Sequence, residues 1–430
     1  MTKRVVITGL GVVSPNGADL GQFRHAIRNG LSGIRHDPQL EQLLFSCQIA
    51  GKPVIDETRL GLYFTELETR NLDSTGIVYG VIAGMDAWKD AGLEIAEQEE
   101  PYWECGTVFG TGTSGIDKFR SAIYKLDNLE IRKLGSTVVA QTMASGVSAL
   151  LAGKIGLGNQ VTTNSSACAT GTESVLMAYE RIKNGQATIM LAGSTSDSGP
   201  YIWGGFDAMK VCTYKHNGNP ETGSRPMSET ASGFVPGSGA GALVLESLEH
   251  ALSRGAKIYA EILGGNVNAG GQRGTGTMTA PNARAVQRCI VSALAASGVN
   301  PADIEVINGH LTATSKDTLE IENWVKAIGR SGKDFPYINS IKGMTGHCIS
   351  ASGSIECVAS VLQISEGFIF PNINCEDLHP EIEKLVDPQQ IPRVCLEKEF
   401  DILIKASFGF GDVNACLLLK RYHHEERSTY

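Results

Sequence analysis

The sequence predicts an α/β fold laid down twice in succession, on three observations. Apolar, β-branched runs that end in glycine read as buried strands delivering tight turns. Helical patterns lie between these runs, and several close on a glycine at the C′ position. The series then starts again, so that an N-terminal half over 1–250 and a C-terminal half over 251–430 are expected.

In order, RVVITGLGVVSPNG opens with a strand, STGIVYGVIAGMDAWKDAG is a helix, and TVFGTGTSG is a strand running into a glycine turn. QVTT leads through NSSACATGTE into the helix SVLMAYERIKNG, and IMLAGSTSD and PGSGAGALVLE are the last strands of the first half. AKIYAEILGGNVN starts the second series, followed by the helix NARAVQRCIVSALAASG, the strand IEVING, the helices DTLEIENWVKAIG and GSIECVASVLQISEG, and the strand-like KASFGFGD and NACLLLK. Strands alternating with helices build α/β sheets whose chemistry sits in loops at the carboxyl ends of strands, so two halves can bring such loops to one pocket.

With 430 residues, 42% of them hydrophobic and 19% charged, the chain has room for two fused halves. No stretch reaches the roughly 18 apolar residues a membrane helix needs, and the N-terminus meets Gly and Pro too early for a secretory signal. A cytoplasmic protein without a membrane span is expected. The net charge of −9 argues against general nucleic-acid binding, which depends on neutralising phosphates. The ten cysteines are scattered, and Cys289, Cys357 and Cys416 lie in apolar runs where a thiol behaves as a small hydrophobe. With no CxxC or HExxH spacing, no metal is expected.

Cys168 stands apart. It sits where a strand gives way to a helix, among the small residues Ala167, Ala169 and Gly171, which leave room beside the sulfur. A helix N-terminus carries partial positive charge and unpaired N–H groups, so the thiol is expected to be acidic and nucleophilic, against the plainer reading of a buried structural cysteine. His310, after IEVING, and His347, in NSIKGMTGHCISASG, each occupy a strand-to-helix loop of the second half and are the partners such a nucleophile needs. Each by itself reads as an ordinary loop histidine. Lys342, five positions before His347, either tunes that site or is a solvated lysine. The glycines around Phe410 in FGFGD make hairpin filler or a movable aromatic gate. GTGTSG, with Gly110, Gly112 and Gly115, fits GxGxxG, and Asp127 or Glu130 lies at the distance of a ribose contact, which would make an NAD(P)-dependent oxidoreductase. That fingerprint usually belongs to the first strand, where TGLGVVSPNG lacks it.

Taken in order, RVVITGLGVVSPNG, SACATG, IMLAGSTSD, SRPMSETASGFVPGSGAGALVLE, NGHLTATSKD, IKGMTGH and SFGFGD resemble, over nearly the whole length, the β-ketoacyl-acyl carrier protein synthases, the elongating condensing enzymes of fatty acid and polyketide synthesis. The resemblance implies the duplicated five-layer α/β/α/β/α thiolase fold and a decarboxylative Claisen condensation of an acyl-enzyme thioester with malonyl-acyl carrier protein. It implies a homodimer, or half of a heterodimer with a related subunit, and no cofactor beyond the carrier's phosphopantetheine arm. By motif, Cys168 matches the acylated nucleophile, His310 and His347 the two decarboxylation histidines, Lys342 the lysine beside them and Glu356 its supporting carboxylate. Thr312 and Thr314 match threonines that contact the pantetheine arm, Phe408 is assigned to the substrate site with them, and Phe410 matches the gating phenylalanine. The backbone N–H groups of Cys168 and Phe410 are the implied oxyanion donors.

Three departures stand out. The usual HGT becomes His310-Leu311-Thr312, the segment TSKD ending at Asp317 is one residue shorter than TPxGD and lacks its proline, and GFGG ends in Asp412. A charged side chain beside the gate and an altered pantetheine loop bear on the acyl substrate rather than on the reaction type, and point to a specialised pathway such as polyene or other secondary-metabolite synthesis. A thiolase would need a second cysteine near FGFGD, whereas Cys416 lies further on, in NACLLLK. A chain-length-factor-like partner subunit would normally lack the nucleophile. An acidic carrier meeting this acidic chain needs local basic groups, for which Arg70 and Lys210 are the candidates.

Overall fold

The computed structural model describes residues 2–423. Ten strands form one mixed sheet: β1 (Val5–Val13), β2 (Cys105–Thr111), β3 (Val161–Thr162), β4 (Ile189–Ser196), β5 (Gly239–Ser247), β6 (Ala260–Ala269), β7 (Val306–Asn308), β8 (Tyr337–Asn339), β9 (Ile402–Gly409) and β10 (Val413–Arg421). Their spatial order is β8-β7-β9-β10-β6-β1-β5-β4-β2-β3. Read inward from each edge, the first half runs β3-β2-β4-β5-β1 and the second β8-β7-β9-β10-β6, the same order displaced by five. The outer pairings are parallel and the inner ones antiparallel in both halves. The halves join where β1 pairs antiparallel with β6, Val5 opposite Ile262. The duplication expected from the order of elements is therefore carried by the topology itself.

Eight helices position the site: α1 (Thr75–Asp90), α2 (Ile116–Asp127), α3 (Gly146–Ile155), α4 (Thr170–Lys183), α5 (Ala283–Ser297), α6 (Asp317–Ile328), α7 (Lys342–Thr345) and α8 (Ser352–Glu366). The pair α1 and α3 covers the outer face of the first half, and α5 with α6 that of the second. Between them α4 and α8 touch strands of both halves, which completes the five layers of a thiolase fold. The sequence accounts for each placement. β1 is buried at all nine positions, as a strand covered on both faces must be. α8 is buried from Ser352 to Ile364 and carries small or apolar residues nearly all round. The central layer is also tight: a Cβ on Gly171 of α4 would lie 2.2 Å from the backbone nitrogen of Ser354 in α8.

The dinucleotide expectation fails at the loop after β2. Gly110 lies inside the strand, where a Cβ would stand 2.4 Å from Asn164 Oδ1. The Gly115 N–H donates to the Asp197 carboxylate at 2.6 Å, and the Gly76 N–H donates to it at 2.5 Å. A protein carboxylate thus occupies the amides that a pyrophosphate would need. Asp127 closes α2, and Glu130 is paired with Lys133 at 2.6 Å. No helix among the described residues is long and apolar enough to cross a membrane.

Candidate active site

Cys168 lies in the 3-10 turn Ala167–Ala169 that leads into α4. The turn is sharp, with Ala167 at φ +50° in the left-handed region. Thr170 Oγ1 holds it by accepting the Ser166 N–H at 2.9 Å and donating to the Ala167 carbonyl at 2.7 Å. Asn164 Nδ2 adds a bond to the Thr170 carbonyl at 3.0 Å. Gly409, at the end of β9, packs directly on this turn, where a Cβ would come within 3.1 Å of the Cys168 nitrogen. The strand that carries Phe408 therefore meets the backbone of Cys168.

The sulfur faces a cavity of about 520 Å³ that is also lined by His310, His347, Thr312, Thr314, Phe408 and Phe410. Cys168 Sγ and one ring nitrogen from each histidine all lie within 4.8 Å of one another. The two imidazoles stand nearly perpendicular, with centroids 5.5 Å apart. Nδ1 of His347 accepts the Ile349 N–H at 3.1 Å and sits 2.9 Å from the Ser352 hydroxyl, which leaves its proton on Nε2. Nδ1 of His310 has no protein partner. Burial, reinforced by the Lys342 charge, pushes both imidazoles well below the usual histidine range, so both are neutral donors.

Lys342 is fully buried, and this excludes the solvated-lysine reading. Its ammonium donates to the His310 carbonyl at 2.6 Å and pairs with Glu356 Oε1. The other carboxylate oxygen pairs at 2.5 Å with Lys405, which belongs to none of the family motifs above. Lys405 is itself fully buried in β9 and donates to Ser407 Oγ at 2.8 Å.

The expected acidity of Cys168 is not what the site produces. Enclosure pushes the thiol up to about 11, outweighing the opposing pull of the Phe410 N–H and the Lys342 charge. A sulfur shut away from water loses more by desolvation than a short turn's amides return. The amides of Phe410 and of Cys168 itself nevertheless favour a charged sulfur.

The loop from His310 to Thr314 is strained, with Leu311 at φ +24° and Ala313 at +62°. Two carboxylates at the start of α6 hold it there. Glu320 accepts the N–H groups of His310 and Leu311 at 2.7 and 2.8 Å, and Asp317 accepts those of Thr312 and Ala313 at 2.9 and 3.1 Å. Burial raises Asp317 to about 6 and Glu320 to about 7. The shortened TSKD segment still delivers Asp317 to this task, and Thr312 and Thr314 face each other at 3.0 Å between their hydroxyls. Glu320 was missed because its motif neighbourhood, DTLEIENW, reads simply as the start of an amphipathic helix.

Asp412 does not put a charge against Phe410. Its carboxylate turns away to accept the N–H groups of Gln272 at 3.1 Å and Asn282 at 2.8 Å, and only 1% of the residue is exposed. Phe410 rests on Phe206 at 6.0 Å, Phe206 on Phe234 at 5.6 Å, and Phe234 on His347 at 5.2 Å. Phe408 packs between His310 and Trp324. Of the two basic groups picked from sequence, Lys210 lines the cavity, whereas Arg70 caps the short helix Glu66–Thr69, pairs with Glu66 at 3.0 Å and lies outside the cavity lining. Cys416 is buried in β10 and lies outside the cavity lining, which leaves a thiolase's second cysteine without a candidate there.

Residues 2–251 match the family model for the beta-ketoacyl synthase N-terminal domain, and residues 259–376 that for the C-terminal domain. The chain is similar to the chloroplastic 3-oxoacyl-[acyl-carrier-protein] synthase I of Arabidopsis thaliana, with 34% identity over 424 residues covering 98% of this chain and 87% of the relative. It is similar to 3-oxoacyl-[acyl-carrier-protein] synthase 1 of Escherichia coli strain K12, with 33% identity over 97% of this chain and 99% of the relative. Among solved structures, the ishigamide ketosynthase/chain length factor matches with a TM-score of 0.86 and 28% identity, covering 98% of this chain and 100% of the other.

Proposed function

Because the chain belongs to the beta-ketoacyl synthase family, we propose that its site runs a two-stage condensation in which Cys168 is acylated and His310 and His347 stabilise the attacking enolate. The protein is a condensing acyltransferase that joins an acyl group to a malonyl unit on a carrier protein, with loss of carbon dioxide. One observation carries the assignment of residues: three reacting atoms from separate chain segments meet within 4.8 Å in one cavity. The N-terminal half supplies the nucleophile, and the C-terminal half the histidines and the gate.

In the first stage the Cys168 sulfur attacks an acyl thioester held on a carrier's pantetheine arm. The oxyanion accepts from the Cys168 and Phe410 N–H groups, each worth roughly 3 kcal/mol in such sites. The pantetheine thiol leaves with the proton that the sulfur gives up, so no standing thiolate is required. In the second stage the malonyl thioester carbonyl accepts from Nε2–H of His347 and from His310. The bond to the carboxylate breaks, carbon dioxide departs, and its electron pair enters the enolate. The enolate carbon then attacks the acyl carbonyl and expels the Cys168 sulfur as a thiolate, which takes a proton from water. Neutral imidazoles suit this step because they donate without taking up a proton.

Thr312 and Thr314 guide the pantetheine arm, and an acidic carrier docks on Lys210 and Lys316, which both line the cavity. The exposed side chains of Phe119, Ile123 and Tyr124 on α2, together with the open sheet edge at β3, support burial against a second subunit, either a copy or a related chain. The presence of all three reacting groups disfavours a non-catalytic partner subunit. Mass spectrometry after mixing the protein with a panel of acyl carriers tests the reading. An acyl adduct on the Cys168 peptide, lost in Cys168→Ala, is expected; no adduct from any carrier would reject it.

A further inference from the structure

Glu356 is shared. It stands on α8 with a lysine from a different element at each oxygen: Lys342 on α7 donates to Oε1, and Lys405 on β9 lies at ion-pair distance from Oε2 without a hydrogen bond to it. All three side chains are 1% exposed or less. Lys342 passes its grip on to the His310 carbonyl. Lys405 lies in the strand that ends at Phe408 and Gly409, and it donates to Ser407 Oγ and the Ala406 carbonyl. Ser407 in turn is 2.9 Å from the hydroxyl of Thr172, in the first turn of the helix that Cys168 precedes.

We propose that Lys405 is a positioning residue of the condensation, completing a Lys342–Glu356–Lys405 bridge that holds the decarboxylating histidines and the gate strand in one register. A single carboxylate would satisfy one lysine. The second cation leaves this dry cluster with a net positive charge beside the imidazoles, and removing charge from water is costly unless something uses it. The use is electrostatic. The groups facing His310 and His347 are Lys342 from α7, Lys405 from β9, Glu356 from α8, Cys168 before α4, and Asp317 and Glu320 from α6, besides each other. Both lysines disfavour a proton on either ring, so the site keeps its neutral donors as the pH falls.

The inference rests on the condensation proposed above, and its test separates the two. Wild type and Lys405→Met are compared for carbon dioxide release from malonyl-acyl carrier protein between pH 4 and 9, and for acylation of Cys168. Lys405→Met should shift the acidic limb of decarboxylation up by about one pH unit, because a neighbouring cation no longer opposes imidazolium. At a pH acid of both limbs decarboxylation should be up to about tenfold lower than in wild type, well beyond the loss in acylation, and Lys405→Arg should restore the limb. Lys405→Gln keeps hydrogen-bonding capacity without the charge and reads the same limb should the methionine variant not fold. An unshifted limb, equal loss of both half-reactions, or failure of both neutral variants to fold would assign the lysine to the scaffold alone. Absence of decarboxylation by wild type at every pH would instead overturn the condensation.

Discussion

The backbone N–H of Ile349 donates to Nδ1 of His347 at 3.1 Å, and this fixes which ring nitrogen carries the proton. Ile349 adopts φ +51° to do so. The Ser352 hydroxyl, 2.9 Å from the same nitrogen, reinforces the tautomer without being its sole support. Ser352→Ala should therefore slow decarboxylation by roughly fivefold, the worth of about 1 kcal/mol, while acylation of Cys168 changes little. Single-turnover measurement of each half-reaction checks this, and an equal loss in both would show that Ser352 acts on the fold.

Burial sets the reactivity of Cys168. With its thiol pushed up to about 11, alkylation by iodoacetamide should be slow at pH 7 and rise about tenfold per pH unit until roughly pH 10. Peptide mass mapping of Cys168 over pH 6 to 10 reads the slope. A rate already flat from pH 7 would mean a thiolate stands in the resting site.

Glu356→Gln would leave Lys342 and Lys405 buried without a carboxylate. Breaking a buried pair from one side costs about 3 to 5 kcal/mol, so the urea midpoint should fall far enough to be measured readily. A loss below about 1 kcal/mol would indicate that water or backbone groups already solvate the lysines.

Both site histidines have folded values depressed below the ordinary one near 6.5. A depressed histidine contributes stability that is present above about pH 6.5 and is lost as the pH falls, because only the unfolded chain takes up the proton. Decarboxylation should hold through pH 6 and decline on the acid side of it, with the melting temperature of wild type declining over the same range more steeply than that of His310→Gln. A melting temperature insensitive to both acid and the substitution would contradict buried neutral imidazoles.

Lys210 lines the cavity and Arg70 does not. Lys210→Glu should raise KM for the acidic carrier about tenfold at low salt, with the difference shrinking at 0.5 M salt, where screening reaches within about 5 Å. Arg70→Glu should change KM less than twofold. Equal effects of the two substitutions would move the docking surface away from the cavity mouth.

Much of the site was legible because its residues sit at turns with strong local signatures. Cys168 stands among alanines and a glycine at a strand-to-helix turn, and His310 and His347 each follow a β-branched run, so their places in the fold follow from neighbours in the chain. Lys405 was not legible. In KASFGFGD it reads as a strand-end lysine, and only α8, packing from some fifty residues earlier in the chain, brings Glu356 against it. Asp412 misled in the opposite way: the chain puts a carboxylate next to the gate, while folding turns it onto the amides of residues 272 and 282.

By itself the sequence determined the alternation of strands and helices, their duplicated order, and which loops carry a thiol and two imidazoles, since periodicity, turn residues and chain order act over a few positions. Tertiary structure decided the protonation of those groups, the sharing of Glu356 between two lysines and the cavity that joins the halves. Ionisation depends on desolvation and on charges within a few ångströms, and the neighbours that set both come from segments far apart in the chain.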